Sequence, residues 1–190
     1  MKIGVLALQG AFAEHVAALH AIGVEAVEVR LPAQLEDVDG LIIPGGESTT
    51  MRRLIARWGL REPILALADE GKPLFGTCAG MIVLSKQIEG GEDAVLPLLD
   101  VTVERNAFGR QLDSFETELS VPLLGDTPVH AVFIRAPVVE EVGPGVEVLA
   151  QVEEGRPVAC RQGKVLVTSF HPELSPDLRV HELFLRGLAA

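Results

Sequence analysis

A cysteine lies between two glycines in the segment Gly76 to Gly80, where an apolar run ends and a helix-forming sequence begins. This arrangement is typical of a nucleophile elbow, a sharp turn that exposes a reactive side chain between a strand and a helix. The free amide groups at the start of that helix favour a thiolate at Cys78, and the Ala79 N–H can stabilise an oxyanion. Cys160 lies inside a predicted strand without flanking glycines, so it is interpreted as a core residue. The sequence therefore predicts that Cys78 is a nucleophile.

A thiolate nucleophile needs a base to manage protons and a third group to orient that base. His171 directly follows a predicted strand, Val165 to Phe170, so it is expected at the sheet edge where Cys78 projects. Glu173 is two residues further along, and side chains at positions i and i+2 of an extended segment face the same side. The sequence therefore predicts a catalytic triad of Cys78, His171 and Glu173. The remaining histidines are interpreted as surface or satisfied core residues: His15, His20, His130 and His181.

A second glycine-rich turn contains Gly45 and Gly46, and it precedes a helical pattern that Glu47 or Ser48 caps. In a functional interpretation these glycine amides complete an oxyanion hole with the Ala79 N–H, because one donor follows the nucleophile and the other lies on a neighbouring strand loop. An ordinary turn is the alternative that the pattern leaves open. No lysine lies near the turn, which argues against a phosphate-binding loop.

The elements that must position these residues alternate along the first half of the chain. Short apolar runs separated by helical patterns predict an α/β fold with a mostly parallel sheet, three layers and helices on both faces. The 190 residues are predicted to form a single domain, 1–190. A helix is expected from Ala79 to Lys86 and another from Asp177 to Leu188. The later strands are expected to extend the sheet, partly antiparallel, at Val101 to Glu104, Phe115 to Val121, His130 to Arg135, Val146 to Gln151, Val158 to Arg161 and Val165 to Phe170.

Charge and composition exclude several classes of function. The formal net charge is −11, so the field of the protein repels nucleic acid and anionic membranes. Two cysteines are too few and too far apart for a disulfide framework or a zinc site, and no metal or cofactor is predicted. No apolar run approaches the ~20 residues needed to cross a bilayer, and the first ten residues have a strand pattern without a signal-peptide cleavage site. A cytoplasmic location is therefore expected.

Together these motifs resemble the class I, or triad-type, glutamine amidotransferase domains, which have a flavodoxin-like fold. Among them the chain is most similar to the family of glutaminase subunits of pyridoxal 5′-phosphate synthase. The resemblance rests on segments distributed over nearly the whole chain: Leu6 to Gly10, Pro44 to Thr49, Gly76 to Gly80, Arg105 to Gln111, Phe133 to Pro137 and Ser169 to Glu173.

The resemblance implies hydrolysis of L-glutamine by Cys78, His171 and Glu173, with an oxyanion hole at Gly46 and Ala79. It implies that the substrate contacts Gly46, Glu47, Ser48, Arg105, Ile134 and Arg135. Arginine holds carboxylates by paired charge-assisted hydrogen bonds, so the two arginines suit the α-carboxylate of glutamine.

A partner is implied as well, because free ammonia is lost to bulk water unless it passes through protein to an acceptor site. The resemblance implies that this partner is the synthase subunit, in a large hetero-oligomer that makes vitamin B6 in its pyridoxal 5′-phosphate form. It also implies that the glutaminase is weak until docked. Three alternatives remain open at this point: a different cysteine hydrolase such as a peptidase, a glutaminase serving another synthase, and a non-catalytic assembly subunit.

Overall fold

A computed structural model of the chain describes residues 1–107, 114–152 and 155–187. The helices are α1 (Phe12–Ala21), α2 (Ser48–Arg57), α3 (Arg61–Asp69), α4 (Ala79–Leu84) and α5 (Arg179–Arg186). The strands are β1 (Lys2–Leu6), β2 (Glu25–Val29), β3 (Gly40–Ile43), β4 (Leu74–Thr77), β5 (Ser85–Ile88), β6 (Leu99–Glu104), β7 (Ser114–Leu119), β8 (Val129–Ile134), β9 (Val138–Val142), β10 (Glu147–Val152), β11 (Arg156–Gln162) and β12 (Val165–Thr168). Short 3₁₀ turns are formed by Pro32–Leu35, Pro122–Leu124 and Pro172–Leu174.

A seven-stranded sheet forms the centre of the molecule, in the order β10-β11-β12-β4-β3-β1-β2. Its strands β2, β1, β3, β4 and β12 are parallel, whereas β11 and β10 add antiparallel strands at one edge. The parallel part has the strand order 2-1-3-4-5 that defines flavodoxin-like sheets. Because parallel strands end at the same edge, the residues that follow β3, β4 and β12 lie side by side.

Alternate residues of the central strands enter two separate hydrophobic clusters. Leu41 and Ile43 pack with residues of α2, α3 and α4, whereas Ile42 packs on the other face with Leu19 of α1 and Phe184 of α5. All of these side chains are almost completely buried. Helices therefore cover both faces of the sheet, which confirms the predicted three-layer α/β fold.

The prediction that all the later strands extend the central sheet is wrong for three of them. β6 pairs with β5 and β9 in a separate three-stranded sheet, and β7 and β8 form a two-stranded hairpin. In β6, buried and half-buried residues alternate, and Leu99, Val101 and Val103 pack against the cluster that surrounds α4. A strand with one solvated face covers the outside of a core, whereas central parallel strands are buried on both faces.

The helix predicted from Ala79 to Lys86 ends earlier, at Leu84, and the chain continues directly into β5. The Ser85 hydroxyl donates a 2.6 Å hydrogen bond to the Met81 carbonyl, four residues back. The carbonyls of Val83 and Leu84 accept hydrogen bonds from main-chain N–H groups of residues 96 and 98. The two hydrogen bonds from residues 96 and 98 are tertiary contacts, which no local sequence pattern indicates.

The last helix is shorter than the predicted range, since α5 begins at Arg179, and Leu188 lies outside the described residues. None of the helices in the described ranges is long and apolar enough to cross a membrane.

Candidate active site

Cys78 occupies the sharp turn between β4 and α4, with φ 49° and ψ −104°. A Cβ on Gly76 would lie 2.6 Å from the carbonyl carbon of Gly80, and one on Gly80 would lie 2.1 Å from the Ile43 carbonyl oxygen. Both distances are far below van der Waals contact. The two glycines are therefore required where strand and helix meet, and the predicted elbow is confirmed.

His171 and Glu173 follow β12 at the same sheet edge. The Nδ1 atom of His171 is 2.7 Å from Glu173 Oε1, and the Glu173 side chain has no exposed surface. Glu173 reaches the imidazole from the 3₁₀ turn Pro172–Leu174, so the predicted contact is present although the segment is not extended as expected. The His171 main-chain N–H also donates to the Val132 carbonyl at 2.8 Å, which ties this segment to the β7–β8 hairpin.

Cys78 and His171 line the same cleft, and the Cys78 Sγ atom lies 3.7 Å from the Ile134 carbonyl oxygen. Burial lowers the pKa of His171, but the hydrogen bonds and charges of Cys78 and Glu173 outweigh burial and raise the pKa to about 10. The surroundings of His171 thus favour its protonated, imidazolium form. Cys160 differs, because it is fully buried in β11 and burial raises the pKa of its thiol to about 12.

The Gly45–Gly46 turn after β3 packs tightly against His171 and the β1–α1 loop. A Cβ on Gly45 would lie 2.2 Å from His171 Cε1, and one on Gly46 would lie 2.5 Å from Gln9 Oε1. The Gly45 N–H donates to Thr77 Oγ1 at 2.9 Å, and the Gly45 carbonyl accepts from the Ala11 N–H at 3.0 Å. The turn is therefore held by specific hydrogen bonds beside Cys78. Because Thr77 already accepts the Gly45 N–H, the prediction that the Gly45 amide contributes to an oxyanion hole does not fit the structure.

A cleft of about 420 Å³ opens over Cys78, a size within the range of small-molecule sites. Every residue predicted to act on or contact the substrate lines this cleft except Glu173, which lies behind His171. The lining residues are Gly46, Glu47, Ser48, Cys78, Ala79, Ile82, Arg105, Asn106, Ile134, Arg135 and His171.

Backbone strain is concentrated at this cleft. The non-glycine residues with positive φ in the described parts of the chain are Cys78, Asn106 (φ 51°) and Arg135 (φ 45°), and all three line it. Such conformations are unfavourable and occur most often at functional sites.

Two of the predicted substrate contacts already have partners within the protein. The Glu47 carboxylate accepts hydrogen bonds from the N–H groups of Thr49 and Thr50 and so caps α2. A hydrogen bond from the Thr50 hydroxyl, together with those from the two N–H groups, lowers the pKa of Glu47 to about 2. Arg105 donates to Glu92 Oε2 at 2.7 Å, and the motif that contains it is described only as far as residue 107.

Several residues near the predicted triad were not identified from the sequence. Thr77 accepts the Gly45 N–H, Gln9 Oε1 accepts the Glu47 N–H at 2.8 Å, and Glu92 pairs with Arg105. His15 and His181 are core residues as interpreted, yet His15 Nε2 lies 3.4 Å from Glu173 Oε2. Thr77, inside the elbow motif, and Gln9, inside the segment Leu6 to Gly10, had local signals that could have identified them.

Comparison with known proteins places the chain in one family along nearly its whole length. The model of the SNO glutamine amidotransferase family matches residues 5–190. The chain belongs to this family. A pyridoxal 5′-phosphate synthase subunit PdxT from Herpetosiphon aurantiacus is 59% identical to this amidotransferase over 188 residues, covering 97% of this chain and 99% of the relative.

Other relatives agree with this assignment of the amidotransferase. The PdxT subunit from Geobacillus kaustophilus is 60% identical over 185 residues, which cover 97% of this chain and 93% of the relative. A solved crystal structure of a glutamine amidotransferase superposes with a TM-score of 0.93 at 51% identity and 99% coverage of both chains. The resemblance inferred from the motifs and the predicted fold class are therefore confirmed.

Proposed function

We propose that this amidotransferase hydrolyses L-glutamine to L-glutamate and ammonia with Cys78 as nucleophile, His171 as acid and base, and Glu173 as the group that orients His171. The ammonia then passes to a synthase subunit for pyridoxal 5′-phosphate biosynthesis. The observation that carries the proposal is the pairing of His171 with the buried Glu173 carboxylate at 2.7 Å, in the same cleft that Cys78 lines. The subunit names of the relatives support this role.

In the first half of the reaction the Cys78 thiolate attacks the side-chain amide carbon of glutamine. The carbonyl becomes a tetrahedral oxyanion, and the His171 imidazolium gives its proton to the amide nitrogen. The C–N bond then breaks, ammonia leaves, and a glutamyl thioester remains on Cys78. Glu173 lies 2.7 Å from His171 Nδ1, so it fixes the ring with Nε2 toward the reacting atoms.

In the second half neutral His171 takes a proton from a water molecule, and the hydroxide attacks the thioester carbon. Collapse of the second tetrahedral intermediate breaks the C–S bond and releases glutamate, which restores the thiolate and the imidazolium. We propose that the N–H groups of Gly46 and Ala79 bind both oxyanions. A donor of this kind contributes roughly 3 kcal/mol to transition-state stability.

The cleft offers charges that match both ends of the glutamine zwitterion. We propose that Arg105 and Arg135 hold the α-carboxylate, and that the anionic Glu47 lies toward the α-ammonium while Ser48 and Ile134 line the path of the side chain. Glu92 Oε2 lies 2.7 Å from Arg105 Nη2. The α-carboxylate of glutamine must therefore displace Glu92 from Arg105 or bind beside it.

The partner is proposed to be the synthase subunit, in a large hetero-oligomer whose interior delivers ammonia without loss to solvent. The 190 residues act as a single domain in this scheme. The cytoplasmic location stays a prediction.

The test is glutamate release from L-glutamine by the purified chain, alone and mixed with the synthase subunit. Cys78→Ala is the inactive variant and Cys160→Ala is its matched control. We expect release that rises with the synthase, persists in Cys160→Ala and is abolished in Cys78→Ala. Hydrolysis of peptides instead of glutamine would indicate another cysteine hydrolase. No release from a confirmed complex would favour an assembly subunit, and activation by a different synthase would reassign the pathway.

A further inference from the structure

A buried polar cluster lies directly behind the triad and includes His15, Thr77, Glu173 and His181. Nδ1 of His15 is 2.9 Å from Nε2 of His181, and Nε2 of His15 is 3.1 Å from Thr77 Oγ1. The same Nε2 atom is 3.4 Å from Glu173 Oε2, and neither side chain of that pair has any exposed surface. His15 on α1 thus contacts both the residue before the nucleophile and the carboxylate of the triad.

The outer oxygen of Glu173 requires a hydrogen-bond donor. Oε1 faces His171, whereas Oε2 is buried and accepts no hydrogen bond of good geometry from the described residues. A buried carboxylate oxygen without a donor is costly. His15 Nε2 is within 3.4 Å, and such contacts in substrate-free sites often tighten when the substrate binds.

The buried polar atoms around His15 favour one position for the proton on its ring. If Nδ1 of His15 carried it, His181 would accept at Nε2 and hold its own proton on Nδ1. That nitrogen is buried and has no partner among the described residues, and an unpaired buried N–H is rarer than an unfilled acceptor. A lone pair on His15 Nε2 would also face the Glu173 carboxylate. The favourable arrangement has His181 Nε2–H donating to His15 Nδ1, and His15 Nε2–H directed at Thr77 and Glu173.

His15 supplies this donor without a charge. Burial, followed by the charges of His181 and His171, lowers the pKa of His15 well below its usual value, and burial lowers the pKa of His181 to about 4. A neutral donor fixes the orientation of Glu173 and leaves its negative charge for His171. A cation at this site would cancel part of that charge and weaken the imidazolium.

We infer that His15 is a positioning residue of the triad, whose Nε2–H holds Glu173 Oε2 so that Oε1 stays against His171; this inference rests on the proposed glutamine hydrolysis. The same nitrogen contacts Thr77, which binds the Gly45 N–H at 2.9 Å. His15 therefore connects the triad carboxylate to the glycine turn proposed to bind the oxyanion.

The experiment measures glutamine hydrolysis by the complex with the synthase subunit, in His15→Leu and His15→Gln. Removal of the donor is expected to lower kcat about 10-fold to 100-fold, with KM for glutamine changed less than about 3-fold. The alkaline limit of activity moves to lower pH, because a misplaced Glu173 supports the imidazolium less. Glutamine at this position can present an N–H near the original Nε2, so His15→Gln is expected to recover most of kcat and the original pH limit.

A double-mutant cycle separates positioning from packing. In a Glu173→Ala background, His15→Leu should change kcat less than about 2-fold, because its effect acts through Glu173. Phe75→Leu is the control for packing: this fully buried ring contacts His15 edge-on at 6.1 Å between centroids, and its variant should lower thermal stability without moving the pH limit. An equal loss from His15→Leu with and without Glu173, or a loss confined to KM, overturns the inference.

Two further results distinguish failure of the proposed function from failure of the positioning role. A wild-type complex that releases no glutamate refutes the proposed function, whereas an active wild type with an equally active His15→Leu variant refutes only the positioning role. If His15→Leu does not fold, His15→Asn replaces it, since its shorter amide lies near Nδ1 and not near Nε2. Full activity in His15→Asn then overturns the inference, as does an NMR spectrum in which Nδ1 of His15 carries the proton.

Discussion

At the scale of single residues, the two thiols of this chain differ because their surroundings differ. Cys78 lies at the first turn of a helix, contacts His171 and lines the cleft. Cys160 lies in β11 with no exposed surface, and burial raises the pKa of its thiol to about 12. Only a thiolate reacts readily with electrophiles, so a chemical probe should distinguish the two.

Iodoacetamide at pH 7.5 is expected to alkylate Cys78 at least about 100-fold faster than Cys160 in the folded protein. The measurement is intact-mass spectrometry over time, with the modified residue located in peptides. Cys78→Ala should resist labelling, whereas Cys160→Ala should be labelled like the wild type. Comparable labelling of both cysteines in the native state would contradict the assignment of Cys160 as an inert core residue.

At the scale of elements, the site depends on how closely β3 approaches the start of α4. The Ile43 carbonyl would lie 2.1 Å from a Cβ on Gly80, so the two backbones are in contact. Gly71, after α3, differs: it has φ 74°, and a Cβ there would meet nothing within 4 Å. The first glycine is required by sterics between elements and the second by local backbone conformation.

Gly80→Ala is therefore expected to lower the free energy of unfolding by about 2 to 3 kcal/mol, because β3 and α4 must separate. Gly71→Ala should lower it by about 1 kcal/mol, the cost of a left-handed residue. Urea unfolding measures both values. Glutamine hydrolysis should fall in Gly80→Ala, which displaces the elbow, and persist in Gly71→Ala. Equal effects of the two variants would show that the contact between β3 and α4 does not constrain the elbow.

At the scale of the whole molecule, burial of His15 and His181 links folding to pH. Both imidazoles lie between the sheet and the helices α1 and α5 without exposed surface, and their pKa values are lowered. The unfolded chain binds protons at these side chains near pH 6.5, whereas the folded chain does not. The stabilisation that comes from burying these two neutral imidazoles is thus complete above pH 6.5. It is lost as the pH falls below 6.5 and the unfolded chain takes up protons.

For His181 the lowered pKa of about 4 corresponds to roughly 3 kcal/mol of stability lost between pH 6.5 and pH 4. Urea unfolding at pH 7.5 and pH 5 should show about 2 kcal/mol of this decrease in the wild type, and His181→Leu should show a smaller one. His20→Leu, at an exposed position of α1, should retain the wild-type decrease. The same decrease in His181→Leu would mean that other groups control acid unfolding.

The sequence alone determined the part of the fold and site that follows from local pattern. Apolar runs separated by helices specify a parallel sheet, and the carboxyl ends of its strands meet at one edge. Gly45, Cys78 and His171 each follow such a strand, so their proximity could be predicted before any distance was known. The two glycines of the elbow were predictable from the local sequence as well, because the sharp turn leaves no room for a side chain.

Tertiary structure decided the rest, because it depends on pairing and burial between segments far apart in the chain. The pairing of β6 with β5 and β9 brings Arg105 to the cleft, and strand patterns carry no information about which strand is the partner. His15 is 158 positions before Glu173 in the sequence, and an isolated histidine on a helix has no local sign of a buried carboxylate. Only the packing of α1 and α5 against the sheet excludes water from the cluster of His15, Thr77, Glu173 and His181. That packing also brings their polar atoms within hydrogen-bond distance.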